Sequence, residues 1–137
     1  MKVILLFLLG LIYNYSFQNE NKQILLCKKW KIVGFQNMNK AYATFNDNDV
    51  MRLYIDKDGT FELKDFLPIK GKWKFNIDST KLALLKTDGI PSLSSSLDDF
   101  NFLIMKLTKD SLIYRQLGIS ALTRKEIYTD WYCIKDN

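Results

Sequence analysis

The chain has 137 residues, of which 47% are hydrophobic and 26% charged, and its formal net charge is +5. These proportions exclude a disordered tail, and the length leaves room for one hydrophobic core rather than two. Histidine is absent, which excludes imidazole-dependent catalysis and histidine-ligated zinc. We therefore predict one folded domain that is not an enzyme and that holds no metal ion or cofactor.

The chain begins with a basic residue and an apolar run. Lys2 precedes the run from Val3 to Ile12, and a polar stretch from Asn19 to Gln23 follows. This order is typical of a signal peptide, and the run is shorter than the roughly 20 apolar residues that cross a bilayer. We expect residues 1–18 to be removed and the protein to be exported to the periplasm or secreted. Because a polar segment separates the run from Cys27, we do not expect a lipoprotein.

Strand patterns dominate the rest of the chain, and no long segment has the 3.6-residue period of a helix. Eight segments rich in β-branched and aromatic residues alternate with turn signals, of which Asp58-Gly59 is the strongest hairpin signal. The segments are Trp30–Gln36, Val50–Ile55, Thr60–Lys64, Gly71–Ile77, Lys81–Lys86, Asn101–Leu107, Ser111–Gln116 and Lys125–Ile134. They predict an all-β fold, an eight-stranded antiparallel up-and-down barrel, because closure removes both exposed sheet edges.

Two connections are longer than the others. They run from Asn37 to Asp49 and from Thr87 to Phe100. Because alternate turns of an up-and-down barrel lie at the same end, both connections are expected on one rim. We interpret that rim as the mouth of the barrel.

Alternation along the strands assigns twelve large side chains to the interior. They are Leu53, Phe61, Leu63, Trp73, Phe75, Leu82, Leu84, Phe102, Ile104, Leu112, Tyr114 and Trp131. The same alternation places Lys72 and Lys74 on the outer face, opposite Trp73 and Phe75. Since a solvated outer face accounts for such lysines, we do not expect a nucleic-acid partner.

The two cysteines of an exported chain permit one disulfide. Cys27 opens the folded region and Cys133 lies in the last strand. If the first and last strands are antiparallel neighbours, the two sulfurs come within bonding reach. We predict this disulfide, with two separately buried thiols as the alternative.

Several short motifs resemble the exported lipocalin-like domains of Gram-negative bacteria. The segment Leu26-Cys27-Lys28-Lys29-Trp30-Lys31-Ile32 is similar to the lipocalin Gly-x-Trp motif, with Lys28 in place of the glycine. Further similar segments are Asp58-Gly59-Thr60-Phe61, Gly71-Lys72-Trp73-Lys74-Phe75, Lys81-Leu82 with Leu84, and Leu107-Thr108-Lys109-Asp110-Ser111-Leu112. The resemblance extends from Ile24 to Ile134, so we take residues 24–137 as the lipocalin-like domain.

The resemblance implies a monomeric barrel with one closed and one open end. It also implies that a basic side chain late in the chain, Arg115 or Arg124, covers the first-strand Trp30 through a cation–π contact. A barrel of this size can hold one small apolar ligand.

Two functions follow from such a barrel. The first is binding or carrying a small hydrophobic ligand, with Tyr54, Tyr114 and Tyr128 as polar groups near the mouth. The candidate ligand-binding residues are Tyr54, Phe61, Trp73, Phe75, Leu84, Phe102, Ile104, Tyr114 and Trp131. The alternative is an interaction or scaffold module with a filled core, whose rim loops bind an envelope protein or a glycan.

Overall fold

A computed structural model describes residues 21–65, 68–86 and 102–137. The predicted signal peptide and the whole predicted connection from Thr87 to Phe100 lie outside the described residues. The strands are β1 (Lys29–Asn37), β2 (Ala43–Thr44), β3 (Arg52–Ile55), β4 (Thr60–Lys64), β5 (Ile69–Phe75), β6 (Lys81–Lys86), β7 (Phe102–Leu107), β8 (Ser111–Ile119) and β9 (Glu126–Lys135). A helical segment covers residues 21–26, and a 3-10 turn covers Asp47–Asp49. Within the described ranges, no helix is long and apolar enough to cross a membrane.

Eight of these strands close into an antiparallel barrel, as predicted. Each strand from β3 to β8 pairs with the next along the chain, β3 also pairs with β1, and β1 pairs with β9. The closing seam is long, running from Trp30 opposite Lys135 to Asn37 opposite Thr129. Closure of the ring leaves none of these eight strands at a sheet edge.

The connection between β1 and β3 is more ordered than the sequence suggested. It contains β2, which pairs with the C-terminal half of β1 through Gly34 opposite Thr44. β3 pairs with the N-terminal part of β1, through Trp30 opposite Leu53. The two strands β2 and β3 therefore lie along the same side of β1, with the 3-10 turn between them.

Short turns with aspartate side chains join two of the predicted hairpins. In the β3–β4 turn, the Asp58 carboxylate accepts hydrogen bonds from Thr60 N at 2.9 Å and Thr60 Oγ1 at 2.6 Å. Gly59 has a φ of 87°, which glycine adopts without steric cost. In the β5–β6 turn, Asp78 accepts the equivalent bonds from Thr80 at 3.1 and 2.5 Å. Both hairpins were expected from these residues.

One end of the barrel, which we call the base, is closed by the helical segment 21–26. Leu26 and Trp30 are fully buried there. Lys22 Nζ lies 3.4 Å from the carbonyl oxygen of Ser79 in the β5–β6 turn. Lys28 Nζ donates to the carbonyl oxygen of Lys109 in the β7–β8 turn, at 2.9 Å. The segment thus bridges the turns around the base, and the opposite end is the mouth.

The predicted interior is confirmed. All twelve residues assigned to it belong to the hydrophobic core or pack against it. On β5 the lysines Lys70, Lys72 and Lys74 are exposed, while Trp73 between them is buried. The period of two therefore identified the correct face of every strand for which it was applied.

The predicted Cys27–Cys133 disulfide is wrong, because both cysteines are free thiols. The two strands are antiparallel neighbours, but their register separates the sulfurs. Cys133 lies opposite Ile32, five residues further along the chain than Cys27. Cys27 precedes β1 at the base, whereas Cys133 points into the core with 2% of its surface exposed.

The predicted contact between Arg115 and Trp30 is also not formed. Arg115 neighbours the inward-facing Tyr114 on β8, so its side chain points outward. There its guanidinium forms two hydrogen bonds with Asp130, at 2.7 and 2.9 Å, and lies 3.8 Å from the ring centroid of Tyr128. The cation over Trp30 is Lys28, with Nζ 5.3 Å from the ring centroid. Arg124 lies in the β8–β9 turn at the mouth.

Candidate functional site

The upper half of the barrel interior contains a cavity of about 280 Å³. Its described lining comes from the inner faces of all eight barrel strands and from Met51, which precedes β3. The lining residues are Ile32, Met51, Leu53, Phe61, Leu63, Ile69, Leu84, Phe102, Tyr114, Gln116 and Trp131. Nine of these side chains are aliphatic, sulfur-containing or aromatic without a hydroxyl, so the cavity is predominantly apolar.

The cavity lies above a core layer that fills the base. Several fully buried side chains of that layer do not line the cavity, among them Leu26, Trp30 and Ile55. Leu82 and Leu112 extend the layer on β6 and β8. Bulky side chains therefore fill one end of the barrel, and the space that remains is at the other end.

On one side of the cavity, the lining residue Trp131 of β9 packs against two further aromatic side chains, Phe35 of β1 and Phe45. Trp131 lies with its ring centroid 5.6 Å from that of Phe35 and 6.5 Å from that of Phe45. Phe45 follows β2, and its backbone N donates to the carbonyl oxygen of Val33 at 3.1 Å. The ordered connection between β1 and β3 thereby places Phe45 against Trp131, which lines the cavity.

A second aromatic group lies across β7, β8 and β9. The ring centroid of Tyr114 is 5.6 Å from that of Phe102 and 6.4 Å from that of Trp131. The pairing of Ile104 with Tyr114, and of Tyr114 with Trp131, fixes these side chains on adjacent strands. Contacts of this kind orient Tyr114 and restrict its rotation.

Polar groups on the lining come from β8. The Gln116 side chain accepts a hydrogen bond at Oε1 from Trp131 Nε1, at 3.1 Å. Tyr114 lies two residues before Gln116 on the same face and is deeper in the barrel, with 7% of its surface exposed. Burial, and to a smaller extent the neighbouring Cys133, raises the pKa of Tyr114 well above its ordinary value. The phenol is therefore neutral at physiological pH.

Five of the nine predicted ligand-binding residues line this cavity. They are Phe61, Leu84, Phe102, Tyr114 and Trp131. The structure places Trp73, Phe75 and Ile104 in or against the core but not on the cavity lining. Trp73 instead donates from Nε1 to the carbonyl oxygen of Asp56 near the base, at 2.8 Å.

Two tyrosines considered as polar groups near the mouth lie on the outer face. Tyr54 follows the inward-facing Leu53, and the ammonium groups of Lys64 and Lys29 lie 4.6 and 5.4 Å from its ring centroid. Tyr128 is stacked under Arg115. Neither belongs to the cavity lining.

Four lining residues were in neither the predicted interior set nor the predicted ligand-binding set: Ile32, Met51, Ile69 and Gln116. The lining residues Leu53 and Leu63 had been assigned to the interior only. Alternation could have found Met51, Ile69 and Gln116, because each lies two or four positions along the chain from a residue assigned to the interior. Gln116 is two residues after Tyr114, and its polar side chain excluded it from a search for apolar residues. Met51 is two residues before Leu53.

In residues 21–65, 68–86 and 102–137, no three cysteine, aspartate or glutamate side chains gather closely enough to hold a metal ion. The chain matches no protein-family model and no curated protein. The barrel and its cavity are therefore the basis for inferring function.

Proposed function

We propose that this protein is an exported, lipocalin-like carrier that binds one small hydrophobic molecule inside its barrel as a monomer. The observation that carries this proposal is the apolar cavity of about 280 Å³ above a filled base. The motif resemblance to lipocalin-like domains of Gram-negative bacteria, and the apolar run from Val3 to Ile12, support the family and the export.

The size of the cavity supports a small ligand. Small-molecule sites range from about 300 to 1,000 Å³, so this cavity is at the lower limit of that range. An apolar cavity of about 150 Å³ is large enough to bind benzene. We therefore propose a small ligand, with up to three rings or with a short alkyl chain.

The cavity favours the carrier over the interaction module. The module hypothesis requires a filled core, with binding at the rim loops. Here the side chains fill the base, while the lining residues Leu63, Ile69 and Leu84 leave space between them. A hydrophobic ligand that covers the apolar surface facing this space binds favourably, because that surface is removed from water.

The test is a titration of the purified protein, expressed from the full chain, with N-phenyl-1-naphthylamine. This probe is uncharged, so the positive charge of the protein does not attract it, and its fluorescence rises in an apolar environment. We expect saturable binding of one probe per chain.

A matched pair of variants tests whether the probe binds inside the barrel. Leu84 lines the cavity, whereas Leu85 lies opposite Lys72 on the outer face of the same strand. Leu84→Trp fills the cavity and should weaken probe binding about tenfold or more, which corresponds to about 1.4 kcal/mol. Leu85→Trp should leave the affinity unchanged. Absence of saturable binding, or equal affinities of the two variants, would overturn the proposal.

A further inference from the structure

The position of Tyr114 suggests which class of hydrophobic molecule the cavity accepts. Its ring is held between Phe102 and Trp131, and only 7% of its surface is exposed. It is the deeper of the two polar residues on the described part of the lining. A buried tyrosine hydroxyl usually has a hydrogen-bond partner.

The Tyr114 hydroxyl has no such partner among the described residues. Yet no side-chain oxygen or nitrogen in these residues is both inaccessible and unpaired. The hydroxyl is therefore reachable, and the space it faces is the cavity that Tyr114 lines. A ligand in that cavity would cover the hydroxyl, and the ligand must then supply a hydrogen-bonding group or leave the hydroxyl unsatisfied.

Among the described residues, the lining contains no lysine, arginine, aspartate or glutamate. Tyr114 itself is neutral at physiological pH, because burial raises its pKa. A charged ligand group beside Tyr114 would thus lose its hydration without gaining a counter-charge from the described lining residues, which is strongly unfavourable.

The second polar residue, Gln116, places a weaker constraint on the ligand. Its side-chain oxygen is already bonded to Trp131 Nε1, in a contact exposed to solvent. Water can satisfy the rest of the amide there, with or without a ligand. The group that a ligand must match is therefore the hydroxyl of Tyr114.

We propose that the cavity selects an uncharged molecule, an alcohol or a carbonyl compound, whose single polar group hydrogen-bonds to the Tyr114 hydroxyl while its hydrocarbon part fills the apolar space. This inference rests on the proposed function, because it assumes that the cavity binds a ligand. It excludes fatty-acid anions and alkylammonium ions as preferred ligands.

The test is a displacement of N-phenyl-1-naphthylamine by four molecules of one chain length. They are 1-octanol, 2-octanone, octanoate and octylammonium, measured at neutral pH. We expect the alcohol and the ketone to bind at least about tenfold more tightly than the two ions. Octanoate binding as tightly as 1-octanol would overturn the proposal.

Two variants test the role of the hydroxyl. Tyr114→Phe removes it and should weaken 1-octanol and 2-octanone about three- to tenfold, the usual effect of losing one hydrogen bond. Tyr132→Phe is the control, because it removes a tyrosine hydroxyl on the outer face, where it donates to Gln36 Oε1 at 3.2 Å. The probe affinity of each variant is measured first, so that displacement is converted into a dissociation constant.

The outcomes separate the two proposals. Failure of the wild-type protein to bind the probe overturns the proposed function itself. Probe binding with an unchanged 1-octanol affinity in Tyr114→Phe overturns the ligand class and leaves the carrier function standing. If Tyr114→Phe does not fold, as judged by circular dichroism, the ratio of neutral to charged ligands in the wild-type protein decides.

Discussion

Trp30 donates a hydrogen bond from Nε1 to the backbone carbonyl oxygen of Leu26, at 2.9 Å. Both residues are fully buried. The bond satisfies the indole N–H inside the core and fixes the helical segment 21–26 to the first strand. Through this pair, the residues before β1 close the base, and the cavity lies toward the mouth.

The first prediction concerns Leu26, whose side chain is inserted into the base of the barrel. Leu26→Ala should lower the free energy of unfolding by about 2–5 kcal/mol, because a fully buried leucine is replaced by a cavity. The measurement is urea-induced unfolding followed by circular dichroism.

Leu122 provides the control for this variant. It lies in the β8–β9 turn with 96% of its surface exposed. Leu122→Ala should change the free energy of unfolding by less than about 0.5 kcal/mol. Equal effects of the two substitutions would show that the segment 21–26 does not close the barrel.

The second prediction concerns Gly71, at the centre of β5. A Cβ atom at this position would overlap the carbonyl oxygen of Leu85 and lie 2.7 Å from Phe61 Cε1. The clash is partly with backbone, so a side-chain rotation cannot relieve it. Gly71→Ala should destabilise the protein by about 1–3 kcal/mol, measured by thermal or urea unfolding.

Gly118 is the matched control because it also lies in a strand. The nearest atom to its added Cβ would be Ile127 Cγ1, at 3.6 Å, which is an ordinary van der Waals contact. Gly118→Ala should therefore be neutral or slightly stabilising. A neutral Gly71→Ala would contradict the close approach of β5 and β6.

Most of the fold could be predicted from local sequence signals. Asp58-Gly59 specified a hairpin through turn chemistry, and the alternation of Lys72, Trp73 and Lys74 specified which face is buried. Both signals act between residues that are close in the chain. The interior set was correct for the same reason, since the face of a residue depends only on its own strand.

The position of a residue along the barrel axis could not be predicted in this way. Alternation assigned Leu82 and Leu84 to the same interior, yet Leu84 lines the cavity and Leu82, two residues nearer the base on the same strand, does not. The disulfide prediction was wrong for a related reason. The register between β1 and β9, which sets the separation of the two cysteines, could not be predicted from local signals. That register also contains an irregularity between Ile32 and Gly34, which turns Phe35 toward Trp131. Depth and register depend on pairing between distant segments.

The third prediction is a pH dependence that originates in two turns. Hydrogen bonds from Thr60 lower the pKa of Asp58, and hydrogen bonds from Thr80 lower that of Asp78, both below the ordinary value of 3.8. A carboxylate whose pKa is lower in the folded chain stabilises the fold above pH 3.8. That contribution is lost as the pH falls through the folded-state pKa.

The double variant Asp58→Asn, Asp78→Asn removes both titrations. Its free energy of unfolding should fall less than that of the wild-type protein between about pH 5 and about pH 2. Asp110→Asn, in the β7–β8 turn, is the control, because the Asp110 carboxylate accepts no hydrogen bond from another described residue. An identical pH dependence of the double variant and the wild-type protein would refute this origin.

The fourth prediction concerns the two free thiols. Burial raises the pKa of Cys133 to about 12. Burial is also the main cause that raises the pKa of Cys27, which is less deeply buried beside the β3–β4 turn. Because the thiolate is the reactive form, both cysteines should react slowly with dithionitrobenzoate in the native protein at pH 8, and Cys133 more slowly than Cys27.

Counting thiols in the unfolded, unreduced protein completes this test. Two thiols per chain are expected, whereas a disulfide would give none. Cys27→Ser should leave one thiol that reacts when the barrel unfolds, and Cys133→Ser should leave one that reacts slowly in the native state. Since Cys133 lies opposite Ile32 in the closing seam, its rate of reaction reports the opening of that seam. Rapid native-state reaction of Cys133 would therefore contradict the closed barrel.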